Sequence, residues 1–214
     1  MFVSGDVRSD IDLKRVFRER PTIIYHLAAF FANQNSVDYP EKDLLVSQLG
    51  TIKLLEHAVL VGGVKRFVYA GSSSAYGDTP TLPKHENMPA NTRSPYAVAK
   101  LTGERYTQVF PGLFSLETVV LRYFNVFGPR QDPASPYSAV IPIFIRAALE
   151  GHAPIINGDG GQTRDFTYVD NVVSANLLAC FAPADGVSGE AVSYTHLRAH
   201  ETEADLVCRL LLEK

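Results

Sequence analysis

The sequence has no tryptophan, and only two methionines and two cysteines among 214 residues. Cys180 and Cys208 stand far apart, without metal-ligand spacing. That excludes a disulfide scaffold or a zinc module and fits a reducing, cytoplasmic setting. No apolar run approaches the ~20 residues that cross a bilayer. The opening "MFVSGDVRS" resembles neither a signal peptide nor a transit peptide. Neither charge dominates: 20 Lys and Arg against 23 Asp and Glu leave a net charge of -3, which gives no reason to expect nucleic acid or an anionic membrane as partner. Internal repeats and low-complexity segments are also missing. What remains, 46% hydrophobic and 20% charged, is enough to build the core of one domain.

Short β-rich runs alternate with helical patterns. "FVSGDV" reads as a strand end, and "DIDLKRVFRER" places Leu13, Val16 and Phe17 at helical spacing behind a Ser9 or Asp10 cap. The runs "TIIYHLAA" (22–29), "KRFVYAGSS" (65–73) and "LETVVLRYF" (116–124) are continuous rather than alternating, as in strands buried on both faces. Helical patterns cover 43–63, ending at Gly62-Gly63, then the segment opened by Ser94 and Pro95, and 140–151. "TRDFTYVD" (163–170) leads into "NVVSANLLACFA", and residues 77–93, with three prolines, form a loop. This order predicts a doubly wound α/β fold, a Rossmann-like parallel sheet with helices on both faces. Ligands in such sheets sit beyond the carboxyl ends of the strands. Three of those ends carry unusual chemistry: "HLAAF", "AGSSSAYG" and "LRYFNVFG".

In "SPYAVAKLTGE" (94–104), Tyr96 and Lys100 share one helix face. Such a pair is either a solvated surface pair or a phenol base with its cation. The triple serine Ser72 to Ser74, at the end of the preceding strand, favours the second. A free phenol has a pKa near ~10, and a neighbouring ammonium together with an oxidised nicotinamide would favour the phenolate. That group can take a proton from a substrate hydroxyl while a hydride leaves the same carbon, with a serine positioning the oxygen. The arrangement suits reversible alcohol–ketone chemistry.

"SSSAYG", "SPYAVAK", "LRYFNVFGPRQ" and "GDGGQTRDFTYV", in this order, resemble the extended short-chain dehydrogenase/reductase family over residues 2–192, and within it the NAD-dependent nucleotide-sugar epimerases and dehydratases. The resemblance implies NAD as cofactor, a UDP-hexose as substrate, and a homodimer through the helix at 43–61 and the Tyr96 helix. Tyr96 would be the base, Lys100 would hold the nicotinamide ribose and lower the Tyr96 pKa, and Ser72 falls at the catalytic Ser/Thr position. Ser73 and Ser74 follow it, either toward the substrate or merely satisfying backbone groups. Asp6 and Val7 match residues that meet the adenine, although Asp6 also suits a plain turn. Leu27, Ala28 and Ala29 match the small-residue strand end along which the cofactor passes, or a simple buried strand. Ser47 stands where the family usually has Asn. Phe124 resembles the residue against the nicotinamide, with a core position as alternative, and Asn125 the one against the sugar diphosphate. Arg164 resembles the diphosphate-binding arginine, or pairs with Asp165. Ile155 and Asn157 fall on the strand that contacts uracil. His26 reads as a core histidine and Arg130 as structural.

The family begins with a strand, a glycine-rich turn and a helix that bind the pyrophosphate. This sequence holds no such turn, and "GDGGQ" (158–162) does not join a strand to a helix. The expectation is a chain truncated at both ends: a partial NAD-binding domain over 1–130, a partial substrate region interleaved with it over 131–192, and a tail, "SYTHLRAHETEADLVCRLLLEK" (193–214), that resembles translated adaptor sequence or else a charged amphipathic helix. Such a polypeptide is expected not to retain NAD or turn over substrate by itself. Dehydratases of the family carry an Asp-Glu pair after the catalytic Thr, and decarboxylases a nearby Glu. Ser73 and Ser74 supply no carboxyl group, which favours C4 epimerisation of a UDP-hexose through a 4-keto intermediate. A nucleotide-binding module without turnover is the alternative from another class.

Overall fold

A computed structural model describes residues 2–30, 33–135, 138–156 and 158–193. Asn157, and all of the 193–214 tail except Ser193, lie outside the described residues.

Ser9 caps α1 (Asp10–Phe17): its Oγ accepts the Asp12 N–H at 3.3 Å, and Asp10 and Asp12 occupy the positive end of the helix. Leu13 and Phe17 enter the core, whereas Val16 lies on the outer side of the expected stripe. Residues 2–7 form no strand. There the Asp6 N–H bonds the Asp12 carboxylate at 3.1 Å instead of a ladder partner. β1 (Ile23–His26) is shorter than the apolar run around it, because the chain turns away and the Phe30 N–H is taken by Ser47 Oγ at 3.0 Å.

Next come α2 (Asn33–Asp38), α3 (Pro40–Asp43), a π-helical turn (Leu44–Leu49) and α4 (Gly50–Val61). The continuous run Pro40–Val61 has 22 residues and, contrary to expectation, is long and apolar enough to cross a membrane. It lies instead over the sheet, with Leu54, Leu55 and Ala58 buried, as a core helix does. It stops at Gly62, whose φ of 71° suits glycine. β2 (Arg66–Ser72) leads through a 3-10 turn (Ser73–Tyr76) and a long loop to α5 (Pro95–Phe114). The rest is β3 (Thr118–Tyr123), β4 (Asn125–Phe127), α6 (Val140–Leu149), β5 (Phe166–Tyr168), α7 (Val169–Phe181) and β6 (Glu190–Ser193).

The main sheet is parallel, in the order β1-β2-β3-β6. Side chains alternate between its faces. Phe67, Tyr69, Val120 and Ala191 pack with Leu13, Phe17, Leu54, Leu55 and Phe110 from α1, α4 and α5. Val68, Val119, Leu121 and Val192 pack with Ala175, Ala179 and Cys180 of α7. Burial on both faces is why these strands read as unbroken apolar runs. β4 and β5 form a second, small parallel pair beyond the carboxyl end of β3. A buried ion pair fixes α5 to the sheet: Arg122 on β3 donates to the Glu104 carboxylate from Nε at 2.9 Å and Nη2 at 2.5 Å. This is the doubly wound, Rossmann-like fold that the sequence predicts.

Candidate active site

The site begins where β2 ends. Ser72 Oγ accepts both the N–H of Ser74 at 3.2 Å and its hydroxyl at 2.9 Å, which starts the 3-10 turn. Gly77 closes that turn with φ 55°, and a Cβ there would collide with the Asn91 carbonyl oxygen. Only glycine lets the long loop fold back so closely.

Tyr96 stands in the first turn of α5. Ser94 Oγ caps this helix by accepting the Ala97 N–H at 3.2 Å, and Pro95 supplies a preset φ. The start of α5 is fastened to α2, through Tyr96 N–H to Ser36 Oγ at 3.0 Å and Ser94 Oγ to Asn33 Oδ1 at 2.9 Å. Tyr96 and Ser72 line the same cleft. Burial raises the pKa of the Tyr96 phenol, the Ser72 hydroxyl opposes that rise, and the Asp43 charge adds to it.

Lys100, one turn further on, is buried; its Nζ donates to the Ala70 carbonyl at 2.7 Å and lies 5.2 Å from the Tyr69 ring centroid. Burial pushes its pKa down to about 8, against the pull of Asp43. The expected lowering of the Tyr96 pKa by Lys100 is therefore not seen in this arrangement: the ammonium is committed to Ala70, and burial dominates the phenol.

A polar cleft of about 720 Å³ opens over Tyr96. Ser72, Ser73 and Ser74 line it, with Phe124, Asn125 and Arg164. The β4–β5 pair brings the last of these into place, since Asn125 donates to the Asp165 carbonyl from its N–H at 3.2 Å and from Nδ2 at 2.8 Å. Phe124 stacks on Tyr76 at 6.4 Å between centroids. The Arg164 guanidinium donates to Thr163 O at 2.7 Å and to Gln162 Oε1 at 3.4 Å, one and two residues before it. An adjoining cleft of about 520 Å³ shares Ser73, Asn125 and Arg164 and reaches Lys84.

The other expected residues do not line this cleft. The Asp6 carboxylate is gripped by Arg8 Nε and Nη2, at 3.0 and 2.6 Å, which holds its pKa down to about 2. Val7 packs on the core beside Gly50. Leu27 and Ala28 are exposed just past β1, and Ala29 is half-buried. Ser47 is buried and donates to Asp43 Oδ1 at 2.7 Å. Ile155 is 82% exposed. His26 is a core histidine, with Nε2 2.8 Å from Thr51 Oγ1. Asn33, Asp78 and Arg93 also line the cleft but drew no attention in the sequence. Arg93, the cation directly before the "SPY" cap, was the available signal. For Asp43 the signal was a carboxylate one helical turn before Ser47 on an inner face.

A model of the NAD dependent epimerase/dehydratase family matches residues 1–194. The chain is 42% identical over 187 residues to a UDP-glucose 4-epimerase of Mycolicibacterium smegmatis, covering 86% of this chain and 58% of that protein. Among solved structures, the UDP-glucose 4-epimerase of Thermotoga maritima with UDP-glucose superimposes with a TM-score of 0.83 at 34% identity, over 96% of this chain and 65% of that one. The Thermus thermophilus UDP-glucose 4-epimerase complex with NAD gives 0.79 at 34% identity, over 98% and 67%.

Proposed function

The chain belongs to the NAD-dependent epimerase/dehydratase family, and from that premise we propose that it carries the catalytic centre for C4 epimerisation of a UDP-hexose through a 4-keto sugar. The hexose is glucose or its N-acetylated counterpart. The observation that carries this reading is one cleft lined by Tyr96 and by Ser72, in which the two residues after Ser72 are serines rather than carboxylic acids.

The residues present suit the nicotinamide end of NAD. A phenol and a serine hydroxyl line the cleft, a buried ammonium lies one helical turn after the phenol, and the buried Asp43 Oδ2 has no hydrogen-bond partner. Small side chains leave the carboxyl end of β1 open at Ala28 and Ala29. The sequence holds no glycine-rich turn for the pyrophosphate. When bound, NAD removes and returns a hydride at the sugar carbon. Tyr96 Oη takes the proton of the 4-hydroxyl and later returns it. Ser72 Oγ, oriented by Ser74, holds that oxygen in line. Lys100 would hold the ribose. Arg164 and Asn125 line the cleft and would face the diphosphate, for which a guanidinium fork is suited. Dehydration would need an acid and a base at the positions of Ser73 and Ser74.

The test is an assay of the complete gene product with UDP-glucose and UDP-N-acetylglucosamine. Conversion to the 4-epimer is expected, and Tyr96→Phe should lower turnover by ~10²–10⁴-fold, the usual worth of a general base, with NAD still bound. Bound nucleotide without conversion of either sugar would leave a binding module instead.

A further inference from the structure

Tyr96 stands in the first turn of α5, where a helix has no internal partners for its N–H groups and tends to fray. The chain next to it accounts for all but one of these groups. Pro95 has no N–H, Ser94 Oγ accepts from Ala97 at 3.2 Å, and the Ser94 carbonyl accepts from Val98 at 3.1 Å. The N–H of Tyr96 is left over, and its acceptor lies 60 residues away: Ser36 Oγ on α2, at 3.0 Å. Ser36 is 0% exposed, so water does not compete for that place. The two serine hydroxyls are aimed in the same way. Ser36 Oγ donates to the Asn33 carbonyl at 2.6 Å, and Ser94 Oγ donates to Asn33 Oδ1 at 2.9 Å. With both protons on Asn33, both oxygens present lone pairs to α5.

We propose that Ser36, with Asn33 behind it, is a positioning residue for Tyr96: a cap supplied by α2 that holds the first turn of α5 where the phenol meets the cleft. Ser94 alone is the cap of an ordinary helix start. The second serine adds a fixed point at the very residue that carries the base. A base must stay within hydrogen-bond reach of the proton it takes, and a misplacement of ~1 Å can cost on the order of 10²-fold. α2 is the first element after β1, so the place of the base is set from the strand end where the epimerase reading puts NAD. The proposal deepens that reading and rests on Tyr96 being its base. Ser36 does not line the cleft, so its effect on turnover passes through α5.

The experiment uses the complete gene product and reads amide hydrogen exchange in the first turn of α5 beside steady-state kinetics. In the wild type the Tyr96 amide should be protected, although no bond within the helix holds it. Ser36→Ala should speed its exchange roughly tenfold, about the worth of one hydrogen bond, while Ala97 and Val98 change little. Turnover per bound NAD should fall roughly 10- to 100-fold, with KM unmoved. A loss of overall stability alone would speed all three amides together and leave turnover per bound NAD as it was. Should Ser36→Ala fail to fold, Asn33→Ala at an exposed position is the second variant. It releases the Ser94 hydroxyl and should speed exchange at Ala97 rather than Tyr96. An unprotected Tyr96 amide in the wild type, an unmoved Tyr96 amide or unmoved turnover in Ser36→Ala, or an unmoved Ala97 amide in Asn33→Ala would overturn the proposal. Protection that Ser36→Ala removes, in a protein that converts no sugar, would keep the cap and discard the epimerase. Conversion that Ser36→Ala leaves untouched would discard only the role of Ser36.

Discussion

Burial of single ionisable groups sets how this protein responds to acid. His26 is 2% exposed, and burial first, then the Lys100 charge, brings its pKa down to about 3. In an unfolded chain the imidazole titrates near ~6.5. Between those values the unfolded state binds the additional proton, so stability that is complete above the unfolded pKa is lost as pH falls toward the folded one. At about 1.4 kcal/mol per unit, the loss is on the order of 4 kcal/mol. Urea midpoints should therefore drop steeply from pH 7 to pH 4, and His26→Gln should flatten that slope. Equal slopes in the two proteins would place the acid sensitivity on other groups. His26 was legible in the sequence as a core histidine, and Tyr96 with Ser72 as neighbours at the strand ends, where both line the cleft, because spacing and strand order decide where they lie. The acceptor of Lys100 was not legible. Whether an ammonium reaches a tyrosine or the carbonyl of Ala70 depends on how α5 seats on β2, which no spacing within α5 encodes.

Elements were legible where one period governs and blurred where two partners compete. β2 and β3 are flanked by strands and helices on every side, and their apolar runs match the ladders closely. β1 lies at the edge, so pairing with β2 alone stops at His26 and Leu27 to Ala29 leave the sheet despite their apolar character. The outward turn of Val16 has the same origin, since α1 meets the core along Leu13 and Phe17 only. The join between α5 and β3 rests on Glu104 and Arg122, which are 0% and 4% exposed. Arg122 also donates to Tyr76 Oη at 2.7 Å, which ties the serine turn to the same pair. Glu104→Gln keeps the shape but leaves the guanidinium without its counter-charge, a loss of about 3–5 kcal/mol for a broken buried pair. Chemical denaturation should show that loss. A change below about 1 kcal/mol, the scale of a surface pair, would mean that water or Tyr76 suffices to hold Arg122.

Among the described residues, α4 and α5 leave an apolar helical face uncovered. α4 and α5 lie side by side, and between them runs a groove of about 590 Å³ lined by Ile52, Val59, Leu60, Tyr106, Val109, Leu113 and Phe114, with Glu56 the one charged residue. Leu60 is 77% and Leu113 68% exposed. A patch this apolar is unusual on a monomer. Two adjacent helices can be self-complementary: a second copy turned about a two-fold axis would set its own pair against this one in a four-helix packing. The near absence of charge in the groove favours such a copy over an acidic or basic partner. The family resemblance also implies a homodimer through these two helices. We expect sedimentation equilibrium to find a dimer, and Leu60→Glu with Leu113→Glu to convert it to a folded monomer, since both side chains are exposed and carry little of the core. The Ser72–Tyr96 pair lies at the strand ends, away from this groove, so circular dichroism and thermal melting of the monomeric variant should show an intact fold. A wild-type chain that remains monomeric at high concentration would refute the assignment and leave this face for another partner.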